Sequence, residues 1–184
     1  EMNPLQNMIR PTVGIITNLD NEHQEGFSSM RQKSDEKCTL LRGCECVIYN
    51  ADDAIISESI KANCTVAKEI AWSRNDVSRP LFISKIEKTN ISTKLKYNFI
   101  GVNNEITIPF TSDNDISNAI ECIAVMLYLG VDFATISDRM GKLTKVGTRI
   151  NVIEGVNNCL IVSDAYTSDY NSLLPALNFM ERRA

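Results

Sequence analysis

Only one imidazole occurs in the 184 residues: His23, within "NEHQEGF", with Glu25 two positions later. A loop histidine beside a glutamate is usually a solvated or turn-capping pair. The same His-x-Glu spacing serves zinc deaminases, but those also need a later Pro-Cys-x-x-Cys, which this chain lacks. Just upstream, "TNLD" (Thr17 to Asp20) approaches the guanine-reading Asn-x-x-Asp pattern at the wrong spacing. Lys37, in "DEKCTLL", follows His23 by fourteen residues; taken alone, a helical lysine is a surface charge. Six cysteines (38, 44, 46, 64, 122 and 159) are scattered among apolar neighbours. "CEC" puts Cys44 and Cys46 on one face of a strand, but no Cys-x-x-Cys unit or histidine partner completes a zinc set. The expected state is reduced thiols packed as small hydrophobes.

These residues must be held by regular elements. "TVGIITN" (12–18) is β-branched and apolar on both faces, as a central parallel strand requires, and Pro11 suits a strand's start. His23 therefore sits where a strand ends, which is where open α/β sheets bind ligands. "SSMRQKSDEKCTLLRG" (28–43) predicts a helix capped by Ser28 or Ser29 and ended by Gly43. "CVIYN" reads as a strand, and "DDAIISESIKAN" as a helix begun by Asp52 or Asp53. This βαβα rhythm argues for a parallel sheet with helices on its faces.

The pattern then changes. "PLFISKIEKT", "TKLKYNFIG" and "NEITIPF" alternate polar and apolar residues, which predicts antiparallel strands with one wet face. Two helices follow, "SNAIECIAVMLYLG", with Asp113 or Asp115 near its start, and "DFATISDRMGKL". Residues 148–171 predict two strands about a turn at Gly155 to Asn158, and "NSLLPALNFMERR" opens a further helix. The fold class is α/β: a mostly parallel sheet flanked by helices, with an added antiparallel portion. The expected domains are 1–149 and the beginning of a second at 150–184.

Composition excludes several classes. A net charge of -4, with no basic stripe among aromatics, gives no footprint for nucleic acid. The apolar run 122–131 is too short to span a bilayer. No signal peptide is visible in the first ten residues, so a cytoplasmic location is expected.

Taken together, "IRPTVGIITNLDNEHQEGF" and "EKCTLL" resemble the central domain of the Mur ligases. That family carries a strand, Thr-Asn or Asn-Asn, a loop with His-x-Glu-Gly-Phe, and a helix with a modified lysine at the His23–Lys37 spacing. "DISNAIECIAVML" resembles the helix whose Asn approaches adenine, and "RINVIEGVNNCLIVSDAYTSD" the crossing into the C-terminal domain. The resemblance implies a P-loop NTPase-like central domain and the start of a Rossmann-like one. It points to the member that adds D-Ala-D-Ala to UDP-MurNAc-tripeptide in peptidoglycan synthesis. A sibling such as folylpolyglutamate synthetase or another Mur enzyme is the alternative; so is a non-catalytic α/β interaction module. Whether an alanine racemase is joined downstream is left open.

The implied chemistry is ATP-dependent amide formation. A carboxylate takes the γ-phosphoryl group as an acyl phosphate, and an amine displaces phosphate through a tetrahedral intermediate. The crowded negative charges call for Mg²⁺. By the resemblance, His23 and a carbamylated Lys37 ligate the metal. A carbamate is an anionic oxygen donor where an ammonium would repel the cation. Carbamylation needs the neutral amine, so the lysine must be pushed toward it or the metal must trap the product. Asn118 would face adenine or ribose, Arg149 would clamp a phosphate, Tyr166 would lie against the base, and Asp164 would bond the ribose or orient Arg149. Thr167 stands where the family has Asn. No Gly-x-x-Gly-Lys-Thr/Ser loop occurs. The family places it before Glu1, so this chain alone is expected to bind ATP poorly and catalyse nothing.

Overall fold

The computed structural model describes residues 2–19, 26–144, 151–163, 177 and 180. The chain divides into two compact units, Glu1–Leu143 and Thr144–Ala184.

The first unit is built on a six-stranded sheet whose spatial order follows the chain. Strands β1 (Val13–Ile16), β2 (Cys46–Asn50), β3 (Lys68–Ser73) and β4 (Leu81–Lys88) run parallel. β5 (Thr93–Phe99) and β6 (Val102–Ile108) continue the sheet antiparallel to β4 and to each other. Alternation along β2 sorts the two faces. Val47 and Tyr49 pack with Cys38, Ile56 and Ile60 from α2 (Met30–Thr39) and α3 (Ala54–Asn63). Cys46 and Ile48 pack with Ile116, Ile120, Ile123 and Ile136 from α4 (Asp113–Tyr128) and α5 (Phe133–Gly141). Two apolar layers thus sandwich the sheet, and burying them is the main stabilising term.

Helices α2 to α5 each begin on a short polar side chain that takes an orphan backbone N–H. Ser29 accepts from Gln32 at 3.1 Å, Asp53 from Ile56 at 3.0 Å, Ser112 from Asp115 at 3.2 Å and Asp132 from Thr135 at 2.9 Å. Asp113 and Asp115 also complement the positive end of α4.

The structure departs from the sequence reading in four places. β1 is an edge strand of the described sheet rather than a central one, and Ile15 is 44% exposed. Its apolar run is therefore only half used, with Gly14 and Ile16 buried. Helix α1 (Met2–Ile9) was not expected from "EMNPLQNMI"; Pro4 lies in its first turn, where its missing N–H costs nothing. β3 was not expected either. Its first two residues are Lys and Glu, and only its last four are buried. Finally, Cys122 and Cys159 are exposed thiols; Cys38, Cys44 and Cys46 are the buried ones.

Gly14 has a packing reason. A Cβ there would stand 2.5 Å from Leu41 Cδ2 and 3.4 Å from Cys44 Sγ, because the turn between α2 and β2 lies against β1. Gly14→Val is expected to destabilise the fold by about 1–3 kcal/mol through overpacking. A lowered urea midpoint would show it; an unchanged midpoint would mean that the turn yields freely.

In the second unit, β7 (Asn151–Glu154) pairs antiparallel with β8 (Leu160–Ser163). The turn closes through Gly155 N–H donating to the Cys159 carbonyl at 2.8 Å, and Asn157 takes φ 58°, a region asparagine tolerates. This is the expected hairpin. The expected helix over 171–183 lies outside the described residues except Leu177 and Met180, both helical.

Candidate functional site

At the carboxyl ends of β1 and β2 lies a polar cleft of about 110 Å³. Thr17 and Asn18 enter it from the end of β1, and Asn50 from the end of β2. Asp53 and Ile56 come from the start of α3, and Asn114, Ser117 and Asn118 from the first turns of α4. Parallel strands and their following helices create this arrangement without special effort. Strand ends converge there, and two helix amino termini bring their partial positive charge.

The β2–α3 turn is tightly fixed. The Ala51 N–H donates to the Trp72 carbonyl at 2.8 Å, and the Asp52 N–H to Asn50 Oδ1 at 3.0 Å. Asp52 reaches across to β3, accepting from the Ser73 hydroxyl and, at 2.8 Å, from the Arg74 N–H. Ser73 Oγ in turn accepts the Asn75 and Asp76 N–H groups at 3.0 and 2.8 Å. The sequence analysis did not single out Asn50 as a site residue and named Asp53 only as a helix start. The available signal was an Asn-Ala-Asp-Asp run directly after a buried apolar strand, which is how a strand-end ligand loop starts.

Of the expected site residues, Asn118 lines the cleft, beside Thr17 and Asn18. Lys37 does not. It is exposed in the last turn of α2, a helix that runs back from the carboxyl end of β1 toward the amino end of β2. One turn earlier on the same face, Lys33 is only 2% exposed. His23, Arg149, Asp164 and Tyr166 lie outside the described residues.

Glu121, one turn beyond Ser117 and Asn118 on α4, was not foreseen. It is 3% exposed, and burial pushes its carboxyl up to about 7. The nearby Trp72 indole N–H acts in the opposite sense, yet neither it nor either carboxyl oxygen completes a hydrogen bond.

The donor set fits a nucleotide better than a metal. Amides and hydroxyls, which make up most of the lining, suit the edges of a base or a ribose, while the one carboxylate named in it, Asp53, is committed to capping α3. Among the described residues, no group of three or more His, Cys, Asp or Glu side chains is placed to hold a metal ion. The described residues therefore do not assemble a magnesium shell by themselves.

Residues 1–126 match the model of the Mur ligase middle domain. The UDP-N-acetylmuramoyl-tripeptide–D-alanyl-D-alanine ligase of Bacillus subtilis is 22% identical over 184 residues, covering 98% of this chain and 38% of that protein. The UDP-N-acetylmuramoyl-L-alanyl-D-glutamate–2,6-diaminopimelate ligase 2 of Clostridium acetobutylicum is 24% identical over 159 residues, covering 85% of this chain and 32% of that protein. Among solved structures, MurF from Acinetobacter baumannii superposes with a TM-score of 0.73 at 19% identity, over 95% of this chain and 38% of that one. MurF from Thermotoga maritima in complex with ADP gives 0.65 at 17% identity, over 93% and 39%. The chain thus spans between 32% and 39% of these relatives, and it shares the fold of the MurF structures: a mostly parallel six-stranded sheet with an antiparallel extension. This chain belongs to the Mur ligase family, and its residues 1–126 are a Mur ligase middle domain.

Proposed function

We propose that this chain is the nucleotide-binding middle portion of an ATP-dependent amide ligase that adds D-Ala-D-Ala to UDP-MurNAc-tripeptide during peptidoglycan synthesis in the cytoplasm. The observation that carries the reading is the cleft, which joins Thr17 and Asn18, just after β1, to Asn118 of α4 at the sheet's carboxyl edge. The ADP complex of a relative with this fold supports a nucleotide as its occupant.

In this reading the Asn118 amide meets adenine or ribose. Arg149 clamps a phosphate, Tyr166 lies against the base, and Asp164 bonds the ribose or orients Arg149. His23 and a carbamylated Lys37 hold Mg²⁺, which when bound supplies neutralising charge for the phosphates. The exposure of Lys37 leaves its amine open to dissolved CO₂. Burial cannot then be what preserves the carbamate, so metal ligation must. The catalytic work of the fold is positioning: it brings the acceptor carboxylate in line with the γ-phosphoryl group and keeps water from the acyl phosphate. The match to a diaminopimelate-adding relative favours a sibling amide ligase as the second reading. Among the described residues no helix is long and apolar enough to cross a membrane.

The test is ADP binding by the complete polypeptide that carries this chain, measured calorimetrically in the presence of magnesium. Asn118→Ala is expected to weaken binding about tenfold, the loss of roughly 1.4 kcal/mol from one amide hydrogen bond to the ligand. Equal affinity in variant and wild type would remove Asn118 from the site. No binding by either would favour the interaction module.

A further inference from the structure

We propose that Glu121 is a positioning residue for the cleft: its buried carboxyl, packed against Trp72 of β3, fixes the first turns of α4 when neutral and releases them when ionised. The inference rests on the nucleotide reading of the cleft for its binding consequence, though not for its structural one.

Three observations converge on this carboxyl. It is the only acidic group among the buried polar and charged side chains of the described residues, and both of its oxygens lack a hydrogen bond. The indole N–H that faces it, on a side chain 1% exposed, is also unpartnered. Lastly, it lies one helical turn from Ser117 and Asn118, which line the cleft, while Trp72 is paired in register with Asn50, which lines it too. Glu121 and Trp72 therefore join the two elements whose separation sets the width of the site.

An ionised carboxylate cannot stay unhydrated in that layer. Either water enters between α4 and the sheet or the helix turns to bring the group out. Both move Asn114, Ser117 and Asn118.

The surrounding groups do not share this titration. From β2, burial pushes Cys46 up, and from β5 it pushes Tyr97 up to about 12. On α4 itself, Cys122 is an exposed thiol turned away from this layer, and partial burial raises Tyr128. α5 offers only Ile136 and Met140 to this core. Two cations stand at its rim: Arg74, 5.9 Å from the Trp72 ring centroid, and Lys68, 5.2 Å from that of Tyr128. Glu121 is thus the group on this face that changes charge near neutrality.

The experiment compares the wild-type complete polypeptide with Glu121→Gln at pH 6 and pH 8.5. Amide hydrogen exchange over residues 113–121 is measured without ligand, and MgADP affinity by calorimetry. After correction for intrinsic rates, wild-type exchange in this segment is expected to speed up at least fivefold at pH 8.5, and that of the variant to stay level. The wild-type-to-variant ratio of ADP dissociation constants is expected to rise three- to tenfold over the same interval; using the ratio cancels the nucleotide's own titration. A purely structural role would lower stability without a pH-dependent ratio. Parallel exchange profiles would overturn the positioning claim whatever the ligand. PH-dependent exchange with no ADP binding at either pH would uphold it and refute the nucleotide reading instead. If the glutamine variant does not fold, Glu121→Met, of similar volume and without a titration, takes its place.

Discussion

Lys37→Ala is expected to lower ligase turnover of the complete polypeptide by about 10²–10³-fold, the usual cost of losing one preorganised charge at a developing transition state. Short carboxylates added to the assay are expected to restore part of that loss. The rescue is the discriminating result, because it asks whether an anionic oxygen is what the position supplies. A lysine acting through its ammonium would not be replaced by an acid. Unchanged turnover, or failure of every rescue with folding intact, would contradict the carbamate assignment.

Lys33 makes a useful contrast. It sits one turn before Lys37 on α2 but is buried, so Lys33→Ala removes packing as well as charge. Its expected effect is loss of stability without carboxylate rescue. If the rescue followed Lys33 instead, the modified position would be the buried one, and the fourteen-residue spacing from His23 would have misled.

The second large effect is on stability against pH. Glu121 has a folded pKa of about 7 against an unfolded value near 4.5. Its contribution is therefore fully present below pH 4.5 and is lost as pH rises through 7. The shift corresponds to about 3 kcal/mol, and the burial of the side chain means that solvent screens little of it. The exposed carboxylates act in the opposite sense. Serine and threonine contacts hold Asp76 and Asp132 below the ordinary range, and lysine contacts do the same for Asp113 and Asp138. Their contributions are lost as pH falls below 4. Stability is thus expected to peak near pH 5 and to decline toward pH 8, and Glu121→Gln is expected to remove most of the decline. Urea unfolding at pH 5 and pH 8 checks this; equal slopes for the two proteins would mean that the carboxyl is hydrated in the fold.

The fold was legible where pattern and burial agree. β4, β5 and β6 keep a clear alternation, and the caps Ser29, Asp53 and Asp132 are sequence-local. β3 escaped because its first two residues are charged and only Ile70 in the rest is β-branched, so neither alternation nor a β-branched run announces it. β1 reads as central because its sequence is apolar throughout, but place in a sheet depends on which strands lie beside it. The site divides in the same way. Asn118 follows from helix-start logic combined with the resemblance, whereas Thr17 and Asn18, quoted in the family's pattern, were given no site role until the cleft was seen. Asn50 and Asp53 needed the knowledge that β2 ends beside β1. Glu121 looks like an ordinary helical carboxylate until the helix is laid on Trp72; its burial is a fact of packing that one-dimensional spacing does not contain.

The central claim is that the cleft between the ends of β1 and β2 and the start of α4 holds the nucleotide. A crystal structure of the complete polypeptide with magnesium and a non-hydrolysable ATP analogue tests it most directly. The account predicts the adenine or ribose within hydrogen-bond reach of Asn118, between the ends of β1 and α4. Analogue bound elsewhere at full occupancy, with Asn118 facing only solvent, would contradict it.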